Sequence, residues 1–235
     1  MTLQLYYYHL KLWIGNGMKH SICVSGAAAG HSVDNSCGLA YELGVAIAKS
    51  GHTITTGATV GLPLYAAKGA KDAGGMSIGF SPAASLREHT KKYRLPIGFF
   101  DYINFTGMNY IGRDIHLVQS SDAVITVGGR MGSLHEFTTA LEAHMPCGVL
   151  LGSGGLADII PELLVKLEEP SGSIVVYDTD PEKLVKKIIY ILDEQNKDLH
   201  VRKLADEWMI KASICEPLAG KYGFRMGDNK STRMG

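Results

Sequence analysis

One unit recurs along this chain. A short apolar run without polar alternation is followed by a loop of glycine and other small residues, and then by a helical pattern. The runs are His20 to Val24, His52 to Thr56, Met76 to Phe80, Asp101 to Phe105, Ala123 to Val127, Gly148 to Leu151 and Ile174 to Tyr177. Strands that lack alternation belong in a parallel sheet covered on both faces, and strand–helix alternation is what builds such a sheet. The expectation is α/β: a single doubly wound, mostly parallel, Rossmann-like sheet with helices on both faces.

Local signals place the helices. Gly51 stands where the first helix, through Leu39, Leu43, Ala46 and Ile47, should end. Pro63 suits a helix's first turn, where its missing N–H costs nothing. Asp180-Pro181-Glu182 opens the last helix with a cap, a proline at N1 and an early acid. After Thr106-Gly107-Met108 a helix is expected to turn Ile111, Ile115, Leu117 and Val118 inward, with Arg113 in its first half. Ser81 to Gly98 carries two prolines and six charged or histidine side chains. It reads as a surface loop lying over the site. Tyr41 and Phe137 read as core.

At 235 residues the chain suits one large domain with a core that needs no disulfides. The expected division is an N-terminal extension over 1–17, the α/β domain over 18–196, and a helical C-terminal segment over 197–235 with an amphipathic stretch from Leu204 to Ile210 and a mobile end. Lys plus Arg and Asp plus Glu each number 23, which argues against nucleic acid as a partner. Cys23, Cys37, Cys147 and Cys215 form no CxxC pair, so reduced thiols and a cytoplasmic setting are expected. No apolar run reaches the roughly 20 residues that span a bilayer, and no membrane partner is expected.

Chemistry concentrates in Val127-Gly128-Gly129-Arg130-Met131-Gly132-Ser133-Leu134-His135-Glu136. This is a strand end, a tight glycine turn and the first turns of a helix. Such a junction points free N–H groups and the positive end of the helix dipole at an anion, most naturally a phosphate. Arg130 is placed either to grip that phosphate or to point to solvent, and Met131 and Met108 read as packing residues before ligand contacts. Glu136 is either a working carboxylate or an acid that merely favours the dipole. Asp122 reads as a brace of the turn. The loops after the first two strands, Ser25-Gly26-Ala27 and Gly57-Ala58-Thr59-Val60-Gly61, permit close approach of a ligand or close helix packing, and the residues alone leave both open.

Several familiar sites are missing. The first loop lacks GxGxxG, and the second strand ends in Thr55-Thr56-Gly57 without an acid for ribose hydroxyls, against a dinucleotide dehydrogenase. There is no GxxxxGK[ST] and no GxSxG. His135-Glu136 starts an HExxH whose final position is Thr139, so no metal site is expected.

Arg113, Ser121-Asp122-Ala123-Val124-Ile125, Gly128-Gly129 and Gly132-Ser133-Leu134-His135-Glu136 together resemble the LOG family, whose members carry PGGxGTxxE and an upstream arginine. Ser25-Gly26-Ala27 and Thr59-Val60-Gly61-Leu62 resemble that family's first two loops. The resemblance covers roughly residues 20–195. It implies hydrolysis of the N-glycosidic bond of a nucleoside 5′-monophosphate, with Glu136 as the catalytic acid, Arg113 as its charged partner that keeps it ionised, and Gly128, Gly129, Gly132 and Ser133 as the phosphate loop. No cofactor is implied for that reaction. The wider group includes molybdenum-cofactor carriers, so a bound AMP-like nucleotide or molybdenum cofactor without hydrolysis is the alternative. A homodimer or larger assembly is implied as well.

The chain also departs from the motif. Val127 stands for its proline, Arg130 and Met131 fill a one-residue gap, Ser133 replaces threonine, and Gly112 and Asp114 flank Arg113 where LOG enzymes carry an acid and a lysine.

Overall fold

A computed structural model describes residues 19–168 and 174–197. The expected N-terminal extension, the amphipathic stretch from Leu204 and the polar C-terminal end lie outside the described residues. The strands are β1 (Ser21–Gly26), β2 (Thr53–Thr56), β3 (Ser77–Ser81), β4 (Tyr102–Phe105), β5 (Ala123–Val127), β6 (Cys147–Leu150) and β7 (Val175–Asp178). The helices are α1 (His31–Lys49), α2 (Leu62–Asp72), α3 (Leu86–Lys91), α4 (Asn109–Gln119), α5 (Met131–Glu142), α6 (Leu156–Lys166) and α7 (Pro181–Gln195). Each expected strand is present, its ends within two residues of the sequence reading.

All six strand pairings are parallel, in the order β4-β3-β2-β1-β5-β6-β7. The chain winds outward from β1 to β4, returns to the middle, and winds the other way from β5. The direction reverses between β1 and β5, whose register sets Gly26 beside Val127 at their carboxyl ends. Loops leaving two adjacent strands in opposite directions open a crevice there.

Side chains alternate across the sheet. Ile22 and Val24 of β1 and Ile125 and Val127 of β5 pack with α1, α2 and α7 through Leu43, Ile47, Ala66, Leu184 and Ile188. Cys23 and Val124 face the other way, onto α4, α5 and α6 through Leu117, Val118, Phe137 and Ile160. Helices therefore cover both faces, as the unbroken apolar strands require.

Four local expectations are corrected. Helix α4 turns Arg113, Asp114, Leu117 and Val118 inward, and leaves Ile111 and Ile115 exposed. Residues 81–98 are not a bare surface loop. They hold α3, capped by Ser85, whose hydroxyl accepts from the N–H of Glu88. His89 within it is fully buried, bonded through its two ring nitrogens to the Ser81 hydroxyl and the Pro96 carbonyl. Asp122 does not brace the glycine turn. It accepts from the backbone N–H and hydroxyl of Ser21 at 2.6 and 2.9 Å, tying β5 to β1 at the end of the strands away from the turn. Phe137 is core, whereas Tyr41 is half-buried and donates its hydroxyl to Asp72.

Candidate functional site

The β1/β5 crevice holds a cleft of about 370 Å³. Ten residues singled out in the sequence line it: Gly26, Ala27, Gly57, Thr59, Arg113, Arg130, Met131, Gly132, Ser133 and Glu136. Ser25 reaches it through a hydrogen bond to Glu136. Gly61, Gly128, Gly129 and Met108 do not line it. Gly61 caps α2 and packs on the Ala27 carbonyl, and Met108 caps α4 with its side chain exposed.

The glycine turn works behind the cleft. Gly128 and Gly129 take φ of +57° and +106°, a left-handed backbone that only glycine adopts without strain. The turn directs the Gly128 N–H at the Ser153 hydroxyl and presents both glycine carbonyls to the first N–H groups of α6, those of Ala157 and Leu156. The two glycines thereby cap α6 and release α5 in the direction of the cleft.

Helix α5 starts at Arg130 without a side-chain cap, and its first backbone bond runs from Leu134 N–H to the Arg130 carbonyl. The N–H groups of Met131, Gly132 and Ser133 precede that bond and are the orphan donors of a helix start. Gly132 lies against open space, for a Cβ built there would meet nothing within 4 Å. Arg130 is exposed beside it. This end of the cleft can hold an anion through backbone donors, the helix dipole and one guanidinium.

The deeper end is built from charged side chains that the fold buries. Arg113 and Asp114 are 5% exposed and Glu136 8%. Buried charges must be paired, and here the pairing is internal. The Arg113 Nε lies 3.0 Å from Asp114 Oδ1, out of line for a hydrogen bond, so both atoms retain unspent hydrogen-bonding capacity. A terminal guanidinium N–H donates to the Phe80 carbonyl at 3.3 Å, and the group stands 5.7 Å from the Tyr110 ring centre, a cation–π distance. Its seat exists because residue 57 is glycine, since a Cβ there would fall 1.7 Å from Arg113 Nη1. Gly57 thus serves the cleft by admitting Arg113.

Asp114 also reaches His135 Nδ1 at 3.2 Å. Glu136 accepts a hydrogen bond from the Ser25 hydroxyl. Burial pushes Glu136 up to about 7; the attraction of Arg113 opposes this and the negative charge of Asp114 reinforces it. Arg113 thus favours the ionised form of Glu136, in the direction the resemblance implied, against the larger effect of burial. Burial also raises the Cys23 thiol, one strand position from Val24 in the cleft wall.

Sequence reasoning missed Asp114 and Tyr110 as wall residues and His135 as a partner of Asp114. Tyr110 stands three and four residues before Arg113 and Asp114, the spacing of neighbours on one helix face. That spacing was the available signal, and the apolar pattern of Ile111 and Ile115 masked it.

An all-parallel sheet with a cleft and an uncapped helix start at its switch point, backed by buried carboxyls and an arginine, defines a Rossmann-like protein of the nucleotide- and cofactor-binding kind. The family model described as the SLOG cluster4 family matches residues 19–185. The chain belongs to that family. An uncharacterized protein of Archaeoglobus fulgidus is 34% identical over 114 residues, 48% of this chain and 70% of that one. Among solved structures, the molybdenum cofactor binding protein of the phototrophic bacterium Rippkaea orientalis is similar at 28% identity and a TM-score of 0.60, over 74% of this chain and 98% of its own. The molybdenum cofactor carrier protein of Chlamydomonas reinhardtii is similar at 27% identity and a TM-score of 0.60, over 74% of this chain and 99% of its own.

Proposed function

We propose that the protein binds a phosphate-bearing small molecule in the β1/β5 cleft, as a binding or carrier protein for molybdenum cofactor or an AMP-like nucleotide. The observation that carries this reading is the uncapped start of α5, where the N–H groups of Met131, Gly132 and Ser133 open on free space beside Arg130. A terminal phosphate fits such a start on charge and hydrogen bonding. The likeness to the Rippkaea and Chlamydomonas proteins supports molybdenum cofactor as the cargo. The working form is a homodimer or larger, for which the exposed Ile111, Ile115 and Met131 supply an apolar surface.

A second reading, hydrolysis of a nucleoside 5′-monophosphate, rests on Glu136, a buried acid in the cleft poised near neutrality, the range a general acid needs. Against it stands Arg113, whose Nε faces Asp114 and which also bonds the Phe80 carbonyl. Thermal unfolding with AMP, inorganic phosphate and isolated molybdenum cofactor, beside an assay for free base from AMP and N6-modified AMP, separates the two. Carrier function gives a higher Tm with a phosphate-bearing ligand and no base release. Base release that is lost in Glu136→Gln establishes the hydrolase, and no rise in Tm with any ligand removes binding.

A further inference from the structure

The cleft carries an apolar surface that a phosphate does not use. Tyr110 on α4 and Met131 at the start of α5 both line it, and they are 45% and 78% exposed. Tyr110 is nevertheless held in place. The Arg113 guanidinium stands over its ring at 5.7 Å from the centre, and the Tyr93 ring meets it at 5.6 Å and 83°, an edge-to-face contact. Both supports are themselves anchored. Arg113 is held by Asp114 and the Phe80 carbonyl, and the Tyr93 hydroxyl donates to Asn109 Oδ1 at 2.8 Å. A single exposed aromatic on an open surface needs no explanation. A ring fixed by two neighbours and still nearly half open, in a cleft otherwise rich in charge and backbone, is a preorganised apolar contact. The cleft, at about 370 Å³, is also far larger than a phosphate needs and lies in the range of small-molecule sites, roughly 300–1,000 Å³.

We propose that Tyr110 is a specificity-determining residue: its ring is the platform on which a flat heteroaromatic body, purine or pterin, stacks while the phosphate of the same molecule stands at the start of α5. The phosphate half of this arrangement rests on the binding reading above; the platform does not. Met131 belongs to both halves, since its N–H is one of the donors at the helix start and the residue lines the cleft. Stacking accepts any flat π-face, so it favours a heterocycle over a bare sugar phosphate without reading the heterocycle's edge. The thioether chain of Met131 is soft and unbranched, and it adapts to whichever ring system lies against it.

The platform is tested first, on the wild-type protein and without phosphate. Tyrosine-ring 1H–13C NMR signals are followed during titration with adenosine and, separately, with pterin, the Tyr110 signal being assigned from its loss in Tyr110→Phe. Stacking gives that signal a saturable upfield ring-current shift. A shift with adenosine alone makes the body a purine, a shift with pterin alone makes it a pterin, and a shift with both is what a platform blind to the ring's edge gives. No saturable shift with either compound overturns the proposal.

The second arm measures Kd for adenosine, pterin and ribose 5-phosphate in variants whose circular dichroism is native. Tyr110→Ala weakens the flat compound that shifts the ring by about tenfold and leaves ribose 5-phosphate unchanged, and Tyr110→Phe keeps the affinity for both. Tyr110→Leu, which keeps bulk and loses the ring, gives the alanine reading should that variant not fold. Weakening of ribose 5-phosphate to the same degree, or an unchanged Kd for the flat compound, overturns the role of Tyr110. A shifted ring with no binding of ribose 5-phosphate counts against the phosphate reading and leaves the platform standing; bound ribose 5-phosphate with an unshifted ring does the reverse.

Discussion

Gly132 offers the cleft nothing but backbone, and that is its value. Its amide is one of three donors at the start of α5, and the space beside it is where a phosphate would stand. Its φ is not in the left-handed region, and a Cβ there meets no atom within 4 Å. The Gly132→Ala variant is therefore expected to fold with stability raised by about 0.5–1 kcal/mol, the usual helix gain over glycine. Its methyl group projects into the cleft and weakens AMP binding several-fold. Urea denaturation beside a binding titration reads both effects. A loss of stability, or unchanged affinity, would show that residue 132 is not at the ligand. Gly57 is the opposite case, because a side chain there collides with Arg113 and disturbs the charged wall itself.

Helix α4 shows where sequence patterning stops being informative at the scale of an element. Four apolar residues in an 11-residue segment read as one inward stripe. The structure divides them: Leu117 and Val118 enter the core beside Arg113 and Asp114, and Ile111 and Ile115 face outward. Periodicity assumes that charge belongs in water. It misses a case where an arginine and an aspartate neutralise each other and a glycine on β2's exit loop makes the room. His89 in α3 escaped notice for the same reason, since its buried ring is satisfied by Ser81 and Pro96, partners that only the folded chain brings near. The outward isoleucines support the proposed association of two copies through α4. Ile111, 72% exposed, is the residue to alter. Ile111→Asp is expected to leave the circular dichroism spectrum unchanged and to convert a sedimenting dimer to monomer at micromolar concentration. A monomeric wild type, or a dimer indifferent to the change, removes α4 as the interface.

For the whole molecule, the sheet was legible because the feature that encodes it is local and repeated: seven apolar runs, each followed by a small-residue loop or a helix start. Parallel pairing on both sides of β1 follows from that pattern together with the preference for short, right-handed crossovers. The mouth of the cleft was legible for the same reason, as the glycine turn and the start of α5 are contiguous in sequence. The floor was legible only in part: the sequence and its resemblance picked out Ser25, Gly57, Arg113 and Glu136, but Asp114 and Tyr110 join that wall only where segments distant in sequence meet, at the point where the winding of the sheet reverses. Even within the glycine turn the division of labour needed three dimensions: Gly128 and Gly129 cap α6, and the donors left for a ligand lie one step further on, at residues 131–133.

The central claim is that a phosphate docks on those donors. Backbone 1H–15N NMR of the protein titrated with AMP measures it directly, residue by residue. The account expects saturable shifts that are largest at the amides of Met131, Gly132 and Ser133. Saturable binding that leaves those three amides in place and moves others, such as those of the groove between α1 and α7 around Glu42 and Lys186, would contradict it.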